Sequence, residues 1–211
     1  MKKIKLNLGC GLWLKKDYIN VDKFYTEEQL RSGKPPFSGA IVEKGAKFVQ
    51  CDIGKMPFPD NYADYVVMNQ VVEHFPMRQI ATYMKEIYRV MKPGGKLVFT
   101  TPSFNGVVAE WLEMVVNPPF NPEAYLDLAE VIYGNQLAEG EMHRCPITPE
   151  FINFILTSVG FKKGTIYIAR KGTPISAVTF LKEFSLDLFH RTKIKKSSVF
   201  RNDNIVVECE K

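Results

Sequence analysis

The residues of this chain best suited to chemistry stand at the ends of short apolar runs. Gly9, Cys10 and Gly11 close the first run, and two glycines one residue apart let a backbone turn sharply and approach a ligand closely. Asp22 closes the second, where a carboxylate accepts hydrogen bonds from both hydroxyls of a ribose; shaping a strand-end turn is the competing role. After the third run comes Cys51-Asp52-Ile53. Asp52 there either accepts from the exocyclic amine of adenine, with Ile53 against the ring, or caps a helix. The fourth ends in Asn69-Gln70, followed by Glu73-His74, a pair placed either to take a proton from a hydroxyl or amine or to fix the loop. His74 is the candidate base. Much later, His143-Arg144 is suited to an anionic substrate group or to packing beneath the last helix.

The elements that must position these groups follow from the pattern of apolar residues. Strands are expected at residues 4–8, 18–21, 48–51, 65–68, 96–100, 165–169 and 205–209. The first five runs are nearly continuous rather than alternating, as in strands buried on both faces of a parallel sheet. Between the fourth and fifth, residues 77–91 form an amphipathic helix with Ile80, Met84, Ile87, Tyr88 and Met91 inward, stopped by Lys92-Pro93-Gly94-Gly95. A second helix starts at Thr148-Pro149-Glu150, carries Phe151, Phe154, Ile155 and Val159 inward and ends at Gly160.

Strand and helix in alternation imply an α/β fold, a Rossmann-like doubly wound, mostly parallel seven-stranded sheet with an antiparallel last strand. The chain reads as one domain over residues 1–211, with a loop insertion at 24–46 and a helical lid at 103–147 that holds helices near 107–116 and 122–133. Polar groups at four successive strand ends then share one crevice at the point where strand order reverses, the ligand site of such sheets.

Composition narrows the function classes. Four cysteines, Cys10, Cys51, Cys145 and Cys209, form no CxxC pair and no Cys/His cluster of metal-ligand spacing, so they read as reduced thiols and no metal is expected. No apolar run approaches the roughly 18 residues of a membrane span, and Met1-Lys2-Lys3 does not open an export signal. The expectation is a cytoplasmic protein. The net charge of +5 is mild and partly gathered in residues 182–201. Aromatics do not interleave with those charges as in a stacking platform, so a solvated face is favoured over a nucleic-acid surface.

Asn7-Leu8-Gly9-Cys10-Gly11, Ile19-Asn20-Val21-Asp22, Pro57-Phe58-Pro59-Asp60, Val71-Val72-Glu73-His74 and the stretch from Glu86 to Gly95 together resemble class I methyltransferases that use S-adenosylmethionine (AdoMet). The likeness is to the small bacterial type with an LNLGCG…INVD opening. It covers about residues 3–102 and returns at 143–161. The resemblance implies AdoMet as cofactor. Leu8, Gly9, Cys10 and Gly11 would line its methionine half, Asp22 would hold the ribose, Asp52 and Ile53 would meet adenine, and Asn69 would offer its backbone carbonyl with Gln70 beside it.

The chain departs from that pattern in three places. Asn7 opens the glycine motif where many members have an acid, Trp13 stands where a third glycine would, and residues 12–17 alone join the first two strands. Six residues reach about 20 Å, enough to return along a strand but not to include a crossover helix. A dinucleotide site needs that helix for its pyrophosphate, so an NAD-dependent oxidoreductase is disfavoured. Asn117-Pro118-Pro119-Phe120 matches the tetrapeptide with which amino-methyltransferases grip an amine, but it follows a lid helix rather than the fourth strand and reads as a proline stop. The expected acceptor is a small molecule or glycan. A non-catalytic AdoMet-binding module and an RNA methyltransferase are the alternatives, and the oligomeric state stays open.

Overall fold

The structure, a computed structural model, describes residues 3–116, 121–169 and 204–211. The tetrapeptide at 117–120 and the basic stretch at 182–201 lie outside the described residues. In chain order come β1 (Lys5–Leu8), β2 (Trp13–Leu14), β3 (Ile19–Asp22), α1 (Glu27–Arg31), β4 (Ile41–Val42), β5 (Lys47–Gln50), β6 (Ala63–Asn69), α2 (Ile80–Val90) and β7 (Met91–Pro102). There follow α3 (Phe104–Val116), α4 (Pro122–Tyr133), α5 (Pro149–Val159), β8 (Lys162–Ala169) and β9 (Asn204–Glu210).

The sheet is Rossmann-like and has seven strands in the order β5-β3-β1-β6-β7-β9-β8. β5, β3, β1, β6 and β7 run parallel, and β9 is antiparallel to both β7 and β8. The chain winds outward from β1 through β3 to β5, then returns to place β6 on the other side of β1. That reversal opens the crevice. The main core lies on one face, where Leu6, Leu8, Val66, Met68, Leu97 and Phe99 of the sheet meet Met84 and Ile87 of α2 and Ile152 and Leu156 of α5.

α2 is shorter than the apolar spacing suggests. Met77–Gln79 form a 3-10 turn and Met91 already pairs in the sheet with Ala63. α5 is capped by Thr148, whose hydroxyl accepts from the Phe151 N–H, and it ends at Gly160 with a left-handed φ of 110°. Its inward stripe differs from the expectation. Ile152, Ile155 and Leu156 are buried, while Phe154 is 67% exposed. Positions 152, 155, 156 and 159 share one helical face, and residue 154 stands about 200° around the axis from residue 152.

The short crossover contains no helix. Its Trp13-Leu14 pairs in parallel with Ile41-Val42 as a separate two-stranded sheet. Leu14 packs with Cys10, Leu30 and Ala46 into a second apolar cluster. What holds the loop is the fully buried amide of Asn20. Its Oδ1 accepts from the Lys15 N–H and from Asn7 Nδ2, both at 2.9 Å. Its Nδ2 donates to the carbonyls of Lys15, Tyr18 and Lys47. Both lone pairs and both hydrogens of the amide are thereby used, and the loop's polar backbone is satisfied without helical hydrogen bonds.

Removing this amide leaves several buried backbone groups unpaired. Asn20→Ala should therefore lower the unfolding free energy in urea by about 3 kcal/mol, several times an ordinary hydrogen bond.

Candidate functional site

The carboxyl ends of β1, β3, β5 and β6 open on one cavity of about 440 Å³, within the roughly 300–1,000 Å³ usual for small-molecule sites. Gly9, Gly11, Asp22, Asp52, Ile53, Asn69, Gln70, His74, His143 and Arg144 all line it. Leu8 and Cys10 are not among its lining residues. Leu8 is in the main core and Cys10 in the second apolar cluster.

Glycine is required at the first turn. Gly9 and Gly11 have φ of 63° and 53°, and a Cβ on Gly9 would stand 2.6 Å from Cγ2 of Val71. Gln70 also takes a left-handed φ, 54°, in the residue after β6. Such backbone is uncommon outside glycine and persists where surroundings impose it. Here the Gln70 N–H donates to the Thr100 carbonyl, and Nε2 donates to Thr100 Oγ1 and Asn204 Oδ1. The Asn69 side chain accepts from the Thr100 hydroxyl at 2.6 Å.

Asp22 ties the glycine turn to the end of β3. Its Oδ2 accepts from the Gly11 N–H and its Oδ1 from the Phe24 N–H, each at 2.9 Å. Burial raises its carboxyl above the ordinary value, against the backbone hydrogen bonds that favour the anion. The Lys23 and Tyr25 N–H groups add to these donors, so the carboxylate is held by backbone on the side of the glycine turn. Burial also works against ionisation of Asp52, but the Lys23 ammonium at 2.9 Å and the Gly54 N–H outweigh it and hold this carboxyl below its ordinary range. Tyr83 of α2 stacks on Phe75 with ring centroids 4.4 Å apart, and both rings face the cavity beside Ile53.

The lid closes the other side. The Glu73 carbonyl accepts from the N–H groups of Arg144 and Cys145, which pins the returning chain to the segment after β6. His74 Nδ1 lies 2.9 Å from the Met142 carbonyl, and His143 Nδ1 lies 2.7 Å from that of Val131. Burial pushes both imidazoles below their ordinary value; at His143 the neighbouring His74 adds to it. The Glu73 side chain is 3% exposed, and burial pushes its carboxyl up to about 8. Arg144 pairs with Glu139 at 3.3 Å.

Several lining residues carry no local signal in the sequence. Tyr25 and Tyr83 come from loop and helix flanks, and Glu110, Asp127 and Glu130 come from the lid helices. With Asp22, Asp52, Glu139 and Glu141 they outnumber the cationic lining residues Lys23 and Arg144. The wall is therefore acid-rich. Such a wall attracts positively charged ligands.

Residues 6–99 match a family model described as a methyltransferase domain. The chain is 43% identical over 68 residues to cycloartenol-C-24-methyltransferase of Arabidopsis thaliana, a match covering 32% of this chain and 20% of that protein. It is 30% identical over 136 residues to demethylmenaquinone methyltransferase of Streptomyces griseus, covering 49% of this chain and 58% of that protein. The chain thus spans less than two thirds of the length of these curated relatives. A solved AdoMet-dependent methyltransferase from Methanosarcina mazei superposes with a TM-score of 0.59 at 16% identity, covering 100% of this chain and 92% of that one. Another, from Archaeoglobus fulgidus, gives 0.56 at 16% identity, covering 99% and 86%. The fold is shared with both. Residues 6–99 thus match a methyltransferase domain over a little under half of the chain, and S-adenosylmethionine is the cofactor named for the two solved structures that share its fold.

The residues present fit that cofactor. A left-handed glycine turn admits close backbone approach, a buried carboxylate beside it lines the same cavity, and an acid-rich wall suits a sulfonium cation. Gly9→Ala should abolish AdoMet binding in calorimetry and lower stability by about 2 kcal/mol. The left-handed backbone alone costs a side chain roughly 1–2 kcal/mol, before the overlap with Val71.

Proposed function

We propose that this chain transfers the methyl group of S-adenosylmethionine to a small uncharged acceptor, such as a sugar or other hydroxylated ring, held between the sheet edge and the lid. The observation that carries the reading is the convergence of Gly9, Gly11, Asp22, Asp52 and Asn69, from the ends of four neighbouring strands, on one cavity. Gly9 to Gly11 take the methionine half, with Leu8 and Cys10 contributing backbone only. Asp22 takes the ribose hydroxyls, and Asp52, Ile53 and Tyr83 enclose the adenine. With its side chain held by Thr100, Asn69 turns to its backbone carbonyl for the ammonium, and Gln70 shapes the wall beside it.

The cofactor supplies an electrophilic methyl group on a positively charged sulfur. The chain's own task is to hold the acceptor in line with that group, and orientation of this kind is worth on the order of 7–11 kcal/mol at its upper end. The lid contributes apolar walls from Val107, Leu128 and Val131, which exclude water from the acceptor side. Its acids disfavour an anionic acceptor, and Arg144 is already paired with Glu139. The names of the relatives refer to cycloartenol and to demethylmenaquinone, neither of them an anion. No helix among the described residues is long and apolar enough to cross a membrane.

Calorimetry with AdoMet and with its demethylated product tests the reading. Asp22→Ala should weaken binding of both by about 1–3 kcal/mol, the cost of leaving a buried hydrogen-bonding group unpaired. Absence of binding to either in the parent chain refutes it. Tight AdoMet binding with no turnover across sugars, quinols and sterols would favour a non-catalytic binding module.

A further inference from the structure

Glu73 and His74 follow β6, His143 returns from the far end of the lid, and the fold brings the three together. A carboxylate oxygen and one nitrogen from each ring all lie within 4.8 Å of one another. The two rings meet edge to face with centroids 4.8 Å apart. We infer that Glu73, His74 and His143 form a binding site for one divalent transition-metal ion of the zinc class, set in the wall of the cofactor cavity.

The first support is Glu73. Its Oε2 accepts from the Thr101 hydroxyl at 2.9 Å, while its Oε1, equally buried, has no hydrogen-bond partner. No lysine or arginine pairs with it among the described residues. Buried carboxylates are paired or coordinate metals because an isolated charge in the interior is costly. The lone pairs of Oε1 are therefore the ones this carboxyl can offer to a cation.

The second support is the orientation of the two imidazoles. A carbonyl only accepts, so the contacts to Met142 and Val131 place a hydrogen on Nδ1 of each ring. Nε2 of each then carries the lone pair, and neither Nε2 has a partner among the described residues. Metal-ligating histidines almost always donate their other N–H in this way, which fixes the ring and strengthens the ligand. Two imidazoles and one carboxylate are a common set for zinc, and also serve other first-row divalent ions.

The third support is access. His74 and His143 line the cofactor cavity, and Glu73 and His143 line a neighbouring one of about 240 Å³. The remaining coordination positions are reached by water from these cavities, through the acid-rich wall. Ligands on one tetrahedral zinc ion stand about 3.4 Å apart, so binding draws the widest pair together by a modest side-chain rotation. This assignment uses Nε2 of His74 as a ligand, in place of the general-base role its position suggests.

The full chain, stripped of metal with a chelator, is titrated with Zn²⁺ by calorimetry and with Co²⁺ by visible absorption, in the absence of AdoMet. One equivalent of Zn²⁺ and the d–d bands of a nitrogen- and oxygen-ligated cobalt ion are expected. Glu73→Gln, which keeps an acceptor for Thr101, and His143→Ala should each weaken Zn²⁺ binding at least about 10-fold. Thermal melts of the metal-free variants report folding, and His74→Ala substitutes for either one that fails to fold. No uptake by the parent, or equal affinity in the folded variants, overturns the assignment. AdoMet binding is titrated separately, so a failed metal site and a failed cofactor site give different results.

Discussion

A single buried amide sets the geometry on which the rest of this molecule depends. Parallel neighbours in a sheet ordinarily need a crossover of a dozen residues or more, commonly a helix that satisfies its own backbone. Here ten residues, 9–18, join β1 and β3 without a helix, and Asn20, with Asn7 beside it, supplies the hydrogen bonds that a helix would have made. Asn7 and Asn20 stand two residues before Gly9 and Asp22, so holding the loop also aligns the strand ends. Asp22 completes that alignment by accepting from Gly11 directly. The asparagine that replaces the usual acid at the head of the glycine motif is thus turned toward the loop, where an ionised acid would lack the amide hydrogens it donates.

Around this frame the site is organised by burial acting on carboxyl groups in three different ways. Asp22 is buried and carries backbone donors, which leaves it competent to bind hydroxyls. Asp52 is nearer the surface and stays ionised through Lys23. Glu73 is the most deeply buried of the three and has a hydroxyl donor but no cation, so its environment is the least complete. The differences follow from position. Asp22 ends a strand and Asp52 follows one at the crevice, whereas Glu73 lies under the lid beside two imidazoles, and among the described residues no ammonium or guanidinium forms an ion pair with its carboxyl.

Local patterns failed where two elements share a boundary or where a helix is apolar on more than one side. α2 loses its first turn to a 3-10 segment and its last residue to β7, because Met91 finds a strand partner in Ala63. In α5, apolar residues occupy too many positions for sequence to choose the buried stripe, and the register fixed by the Thr148 cap leaves Phe154 outside. The β2–β4 pair was not readable, since two-residue strands carry no periodicity.

The sequence by itself determined the alternation of strands and helices, the reversal that opens a crevice, and the polar residue at each strand end, because periodicity and glycine or proline stops are local properties of the chain. Tertiary structure alone decided what the lid adds. Glu110, Asp127 and Glu130 of the lid, like Tyr83 of α2, reach the cavity through packing between helices. Glu73, His74 and His143 meet because the lid returns to donate two N–H groups to the Glu73 carbonyl. Ligand spacing along the chain showed no metal motif, since groups far apart in sequence become neighbours only when long-range hydrogen bonds and burial bring their elements together.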